Sequence, residues 1–176
     1  MSLVKLATNY ADYNVWVTQK FADWLSPKPD SLLHKEVPSS YSSIIKTLDH
    51  IWATEEYWHS VISETPGFSG RPETASPDSK QVFSGAIKRS ILLADLIRSY
   101  SEQELSKTVK IESPWFQCEL PKYEYLLQVI NHGTYHRGQI VTIGRNIGIT
   151  DASNSDYNFY NVVKQSAGKK QGASLA

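Results

Sequence analysis

Cysteine occurs once in the 176-residue sequence, at Cys118. That excludes an intrachain disulfide framework and a thiolate zinc cluster, and it leaves Cys118 as a small, partly buried residue. Neither charge sign is in excess: Lys+Arg and Asp+Glu are 18 each, for a formal net charge of zero. A nucleic-acid-binding surface would show as a basic excess or a clustered basic stripe. A polybasic membrane anchor is equally missing. Long apolar runs are absent too, since Ile91-Leu92-Leu93-Ala94 is among the longest, far short of a membrane span. The start, Met1-Ser2-Leu3-Val4-Lys5, lacks the charged-then-apolar pattern of a secretory signal. These absences predict a cytoplasmic protein with no nucleic-acid and no membrane partner. The sequence also holds no Gly-x-Gly-x-x-Gly, no Gly-Lys-Ser/Thr loop, no Gly-x-Ser-x-Gly elbow and no His-Glu-x-x-His.

What is present is an ordinary globular composition, 40% apolar and 20% charged, in a chain long enough for about one domain with its own core. Five Trp and ten Tyr point to a core built on aromatics. Four stretches carry helical periodicity. The first, 3–25, repeats Leu6, Tyr10, Tyr13, Val17, Phe21 and Trp24 and is stopped by Pro27 and Pro29. The second, 41–62, follows Pro38 and the capping candidates Ser39 and Ser40, with a stripe of Ile44, Leu48, Ile51, Trp58 and Ile62. After a Pro- and Gly-rich loop over 64–76, Ser76-Pro77 reads as the cap and first residue of a third helix over 77–100. The fourth runs from Pro121 to about 146, with Gly148 as its stop. Between helices three and four, 108–111 and 115–118 read as a small β-hairpin with Pro114 in its turn. Four long amphipathic segments with little strand predict an all-α four-helix bundle over 1–163, its long connections allowing a crossover. Residues 156–163 are expected to dock on the bundle, and 164–176, rich in Gly, Ser, Lys and Ala, to form a disordered tail.

His132 and His136 stand four apart in the fourth helix. That spacing puts both rings on one face, one turn apart, where two imidazoles can share a divalent ion. Five histidines in this length give such a pair by chance with a probability of about 0.14, so spacing alone leaves structural core histidines as an open alternative. Three features favour ligands. His136 lies on the apolar stripe and needs a partner for its ring nitrogens. Gly133 and Gly138 give up about 1 kcal/mol each of helix propensity, which suggests a close approach there. A facing helix also supplies a third histidine. His50 and His59 both qualify, and periodicity slightly prefers His59.

The string Asn131-His132-Gly133-Thr134-Tyr135-His136-Arg137-Gly138-Gln139 resembles the signature helix of the DinB-like (DinB/YfiT) superfamily of metalloproteins. Residues 47–58, with His50 before an apolar residue and an acidic-aromatic patch after it, resemble that superfamily's second helix, and 10–16 its first. The resemblance spans about residues 5–150. It implies a bundle binding one divalent metal, zinc or nickel or else iron, through His50, His132 and His136. His59 then becomes a helix-surface or outer-sphere residue, and His34, in a connection, solvent-facing.

Three neutral imidazoles leave an open coordination position, the pattern of a catalytic site. Among Asp49, Glu55 and Glu56, Glu55 falls on the apolar stripe and is the best candidate to orient a ligand or act as general base. Arg137 is the candidate for binding a substrate carboxylate or thiol group. The resemblance implies a metal-dependent enzyme, a thiol-dependent transferase or a hydrolase, acting on a small-molecule substrate, with a low-molecular-weight thiol as partner. The alternative is a non-catalytic metal- or ligand-binding module of a stress response. The aromatic face of the first helix, Tyr10, Tyr13 and Trp16, reads as core, as a pocket wall or as the contact of a homodimer.

Overall fold

The structure is a computed structural model that describes residues 2–66, 70–112 and 116–173, with side chains through 167. In chain order it holds α1 (Leu3–Leu25), α2 (Asp30–Leu33), α3 (Ile44–Ile62), α4 (Ser79–Ser99), α5 (Glu102–Ser106), β1 (Thr108–Glu112), β2 (Gln117–Pro121), α6 (Lys122–Asn146) and α7 (Tyr157–Ala173). The four long helices α1, α3, α4 and α6 form the bundle. Its neighbours are α1 with α4, α4 with α3, α3 with α6, and α6 with α1. The consecutive pair α1 and α3 is therefore diagonal, which is the crossover that the long connections allow.

Helix starts follow side-chain caps more closely than apolar periodicity. α3 begins three residues later than expected because Ser43, not Ser39 or Ser40, is its N-cap and accepts the Lys46 N–H at 3.3 Å. The preceding turn is closed by the Val37 N–H on the Ser42 carbonyl, 2.7 Å. Likewise α4 is capped by Asp78, whose carboxylate accepts the Gln81 N–H at 2.8 Å and adds a charge favourable at a helix N-terminus. At the other end of α6, Gly148 takes φ 93°. The Ile149 N–H returns to the Gly144 carbonyl at 2.8 Å, so the helix stops in a Schellman motif.

The core mixes aliphatic and aromatic side chains, with Phe21 and Tyr125 among the most deeply buried. Leu25, Ile44, Ile45, Ile62, Leu93 and Ile97 are fully buried, each contributing about 1.5–3 kcal/mol of burial. β1 and β2 pair antiparallel from Thr108↔Pro121 to Glu112↔Gln117. The hairpin leans on α6, where the Tyr125 hydroxyl donates to the Val109 carbonyl at 2.7 Å. The expected turn at Pro114 lies outside the described residues.

The C-terminal segment differs from expectation. Residues 156–163 do dock, but the helix they begin continues to Ala173, so 164–173 is helical rather than a structureless tail. No proline interrupts it, and Lys164 ties its middle to α1 through Asn9 Oδ1 at 2.8 Å. This helix covers the aromatic face of α1. Tyr157 stacks on Tyr10 at 4.5 Å, Tyr160 packs on Trp16 at 5.5 Å, and Asn9 donates to Tyr157 and Asn161 at 2.8 and 2.9 Å. The partner of that face within the chain is thus its own α7.

Candidate metal centre

Packing of α3 against α6 brings His50 to the pair His132 and His136. Their Nε2 atoms converge: His50 Nε2 and His136 Nε2 each lie 3.1 Å from His132 Nε2. The three donor nitrogens all fall within 4.8 Å of one another. His136 is buried, whereas His50 and His132 are partly exposed, so the cluster sits at the edge of the bundle with one side accessible.

The outer nitrogens settle the tautomers. His50 Nδ1 is 2.5 Å from Glu73 Oε1, and a carboxylate offers no proton, so Nδ1 carries it. His136 Nδ1 lies 2.7 Å from Gln139 Oε1, which likewise accepts a proton from the ring. Both Nε2 atoms then present lone pairs to His132. With its ring neutral, His132 Nε2 has at most one proton to donate, and one 3.1 Å nitrogen–nitrogen contact is left without a hydrogen. A cation between the three nitrogens resolves that conflict. Zinc–nitrogen bonds of about 2.0–2.1 Å in a tetrahedral set place nitrogens roughly 3.3 Å apart, close to what is seen. The residues present therefore fit a divalent ion. Burial, then the neighbouring His136 and His50, push the His132 pKa down to about 4, and burial also lowers that of His136.

The carboxylate bonded to the triad is not among the three that sequence reasoning weighed. Asp49 is buried and turned to the 71–74 loop, accepting from Arg71 Nη2 at 2.5 Å and from the Thr74 N–H at 3.1 Å. Glu56 pairs with Arg89 at 2.7 Å. Glu55 accepts Asn14 Nδ2 at 2.9 Å, across the bundle diagonal, and burial raises its pKa to about 7. Among the described residues none of the three bonds to a triad histidine. Glu73 comes from a loop whose composition carries no motif, and Tyr41, with its hydroxyl 2.6 Å from His50 Nδ1, precedes α3. No periodicity connects either to His50, and only the tertiary fold reveals them. Burial and Glu73 push the Tyr41 pKa up to about 12.

Arg137 is buried beside Tyr13 and donates to Thr134 Oγ1 at 3.1 Å. It explains Gly133: a Cβ there would stand 2.8 Å from Arg137 Nη1. Gly138 has open space instead, so nothing approaches it closely. Arg137 and Glu55 share the bundle interior within electrostatic reach of each other, and Arg137 also acts on His132. His59, on α3, is not part of the histidine cluster; it lies within electrostatic reach of Glu56 and of Arg89 on α4, and burial lowers its pKa. His34, expected to face solvent, is partly buried and joins α2 to α4 through Ser79 Oγ at 3.1 Å.

The profile of the DinB family matches residues 1–167. The chain belongs to the DinB family. It is 30% identical over 159 residues to Protein DinB of Bacillus subtilis (strain 168), a match covering 85% of this chain and 90% of that protein. The fold is shared with the crystal structure of a DinB-like protein from Bacillus cereus ATCC 10987, with a TM-score of 0.64 at 20% identity over 79% of this chain and 90% of that one. The all-α bundle with a small hairpin, expected from the periodicity and the strand signals, is what the structure shows, and its fold is that of the DinB-like neighbour. Among the described residues no helix is long and apolar enough to cross a membrane.

Proposed function

We propose that this DinB-family chain binds one divalent metal ion at His50, His132 and His136, and that the centre serves metal-dependent chemistry of the thiol-dependent transferase or hydrolase type. The observation that carries the reading is the convergence of three Nε2 atoms, two of them forced by their outer partners to present lone pairs. Three imidazoles with one accessible side match an open site rather than a closed structural one. The donor set suits zinc or nickel and also accommodates iron. When bound, such an ion acts as a Lewis acid toward a substrate oxygen or sulfur. The chain's own groups do the rest. Glu73 and Gln139 hold ring nitrogens in place. Partly exposed His50 and His132 leave an approach for a small molecule. Arg137 and Glu55 place a buried charge and a carboxyl near neutrality behind the site, and their catalytic assignment belongs to this proposal. So do a cytoplasmic location, a low-molecular-weight thiol partner and a homodimer.

The experiment is a turnover screen of metal-loaded protein against thiol-plus-electrophile and hydrolysable-ester panels. Activity that vanishes in His132→Ala and survives in His59→Ala supports the enzyme. Equal activity in both variants removes it. One observation favours a second reading, metal binding without catalysis: Glu55 and Arg137 spend their hydrogen bonds on Asn14 and Thr134, not on the triad. Saturable metal binding with no turnover across the panels decides for that module.

A further inference from the structure

Three observations converge on Glu73. Its Oε1 lies 2.5 Å from His50 Nδ1 and so requires the ring proton on that nitrogen. The free lone pair is then on Nε2, the atom that faces His132 at 3.1 Å. Tyr41 restrains the same ring from its face. The two rings stack with centroids 4.1 Å apart, and the Tyr41 hydroxyl reaches both His50 Nδ1 at 2.6 Å and Glu73 Oε1 at 3.4 Å. Finally, the loop bearing Glu73 is fastened to α3. Asp49, 2% exposed, accepts from Arg71 Nη2 and from the Thr74 N–H. Arg71 also lies 3.9 Å from the centre of the Trp52 ring. Asp49 immediately precedes His50. Adjacent residues of one helix thus grip one loop: Asp49 anchors it, and His50 receives its carboxylate.

The phenol of Tyr41 is what gives Glu73 a decisive role. A hydroxyl can donate to Nδ1 or accept from it. With Glu73 present, only the accepting role is compatible with a proton on Nδ1. Without Glu73, Tyr41 is free to donate, which favours the opposite tautomer, with the proton on Nε2 and no lone pair toward the triad.

We propose that Glu73 is a positioning residue of the metal centre: held by the Asp49–Arg71–Thr74 clasp, it fixes His50 in the Nδ1–H tautomer and thereby sets the affinity of the site for a divalent cation. The inference rests on the reading of His50, His132 and His136 as metal ligands. Partners that orient ligating histidines are worth about 10–100-fold in metal affinity.

The test uses the full chain. Zinc affinity is measured by competition with a chromophoric chelator for wild type, Glu73→Ala, Glu73→Gln, Glu73→Ala/Tyr41→Phe and the remote control Glu112→Gln. Side-chain nitrogen NMR of the zinc-free proteins reports the His50 tautomer. Glu73→Ala is expected to weaken zinc binding about 10–100-fold and to move the His50 proton toward Nε2. Glu73→Gln, whose amide oxygen still accepts from Nδ1–H, loses less, and Glu112→Gln loses nothing. Adding Tyr41→Phe to Glu73→Ala recovers part of the affinity, a rescue that mere loop stiffening by Glu73 would not produce. Wild-type affinity with an unchanged tautomer in Glu73→Ala overturns the inference. Failure of wild type to bind zinc defeats the three-histidine reading instead and shows in the first titration. The tautomer spectrum still decides separately whether Glu73 holds His50.

Discussion

Gly85 provides a sharp test of the packing that supports the site. It lies in α4, where replacement by alanine ordinarily gains about 1 kcal/mol of helix stability. Here a Cβ would stand 2.3, 2.4 and 2.6 Å from Cζ2, Cη2 and Cε2 of Trp52. Carbon atoms rest at about 3.5–4.0 Å, so the indole would have to retreat by more than about 1 Å. The ring is also engaged by Arg71, at 3.9 Å from its centre, and Arg71 is held by Asp49. Retreat therefore loosens the clasp that carries Glu73. Overpacking of this kind costs about 1–3 kcal/mol, and loss of the cation–π contact adds about 0.5–2 kcal/mol. Against the helix gain, Gly85→Ala should lose about 0.5–4 kcal/mol net. At about 2–4 °C per kcal/mol for a domain of this size, Tm should fall by roughly 1–16 °C. Gly138→Ala is the matched control, because nothing lies within 4 Å of its Cβ; it should raise Tm by roughly 2–4 °C. Thermal and urea unfolding of the chelated proteins, with unchanged m values, measures both. A Gly85→Ala variant as stable as wild type would refute the reasoning.

Two further predictions concern buried carboxylates. Asp49→Asn should destabilise the fold by about 1–3 kcal/mol, since the buried partner of Arg71 loses its charge, and should weaken zinc binding in the same direction as Glu73→Ala; unchanged affinity would detach the clasp from the centre. Glu55, with its pKa raised to about 7 by burial, binds a proton more tightly folded than unfolded. Its stabilising contribution is thus fully present below about pH 4.5 and lost as pH rises through 7. Glu55→Gln should remove a decline on the order of 2 kcal/mol between pH 5 and 8, read by urea unfolding across that range; parallel pH profiles for the two proteins would contradict it.

Much of this was legible in the sequence, for identifiable reasons. The stripes of α1, α3, α4 and α6 are long and regular, so element type was clear, while their starts depended on Ser43 and Asp78 side chains that periodicity does not weigh. The triad became visible only when the histidine spacing was joined to a family resemblance. Periodicity by itself leaned to His59, because His50 sits at the edge of the α3 stripe, toward α6. Of the partners of the triad, Gln139 stands beside the ligands in the motif itself, whereas the partners of His50 were not legible. Glu73 and Tyr41 reach His50 from sequence distances of 23 and 9 residues, through segments without a repeating pattern. Gly133 did mark a close approach, but of Arg137 on its own helix. The C-terminal residues 164–173 read as a tail because Gly, Ser and Lys dominate the composition, whereas the docked aromatics of α7 extend the helix into them.

The most direct measurement of the central claim is the metal content of untagged protein by plasma mass spectrometry, for wild type and His132→Ala. The account predicts about one equivalent of a divalent metal per wild-type chain and essentially none in His132→Ala, as expected when one of three protein ligands is removed. Wild-type protein that remains metal-free after anaerobic reconstitution with zinc, nickel and iron would contradict it and return the three histidines to the core as structural residues.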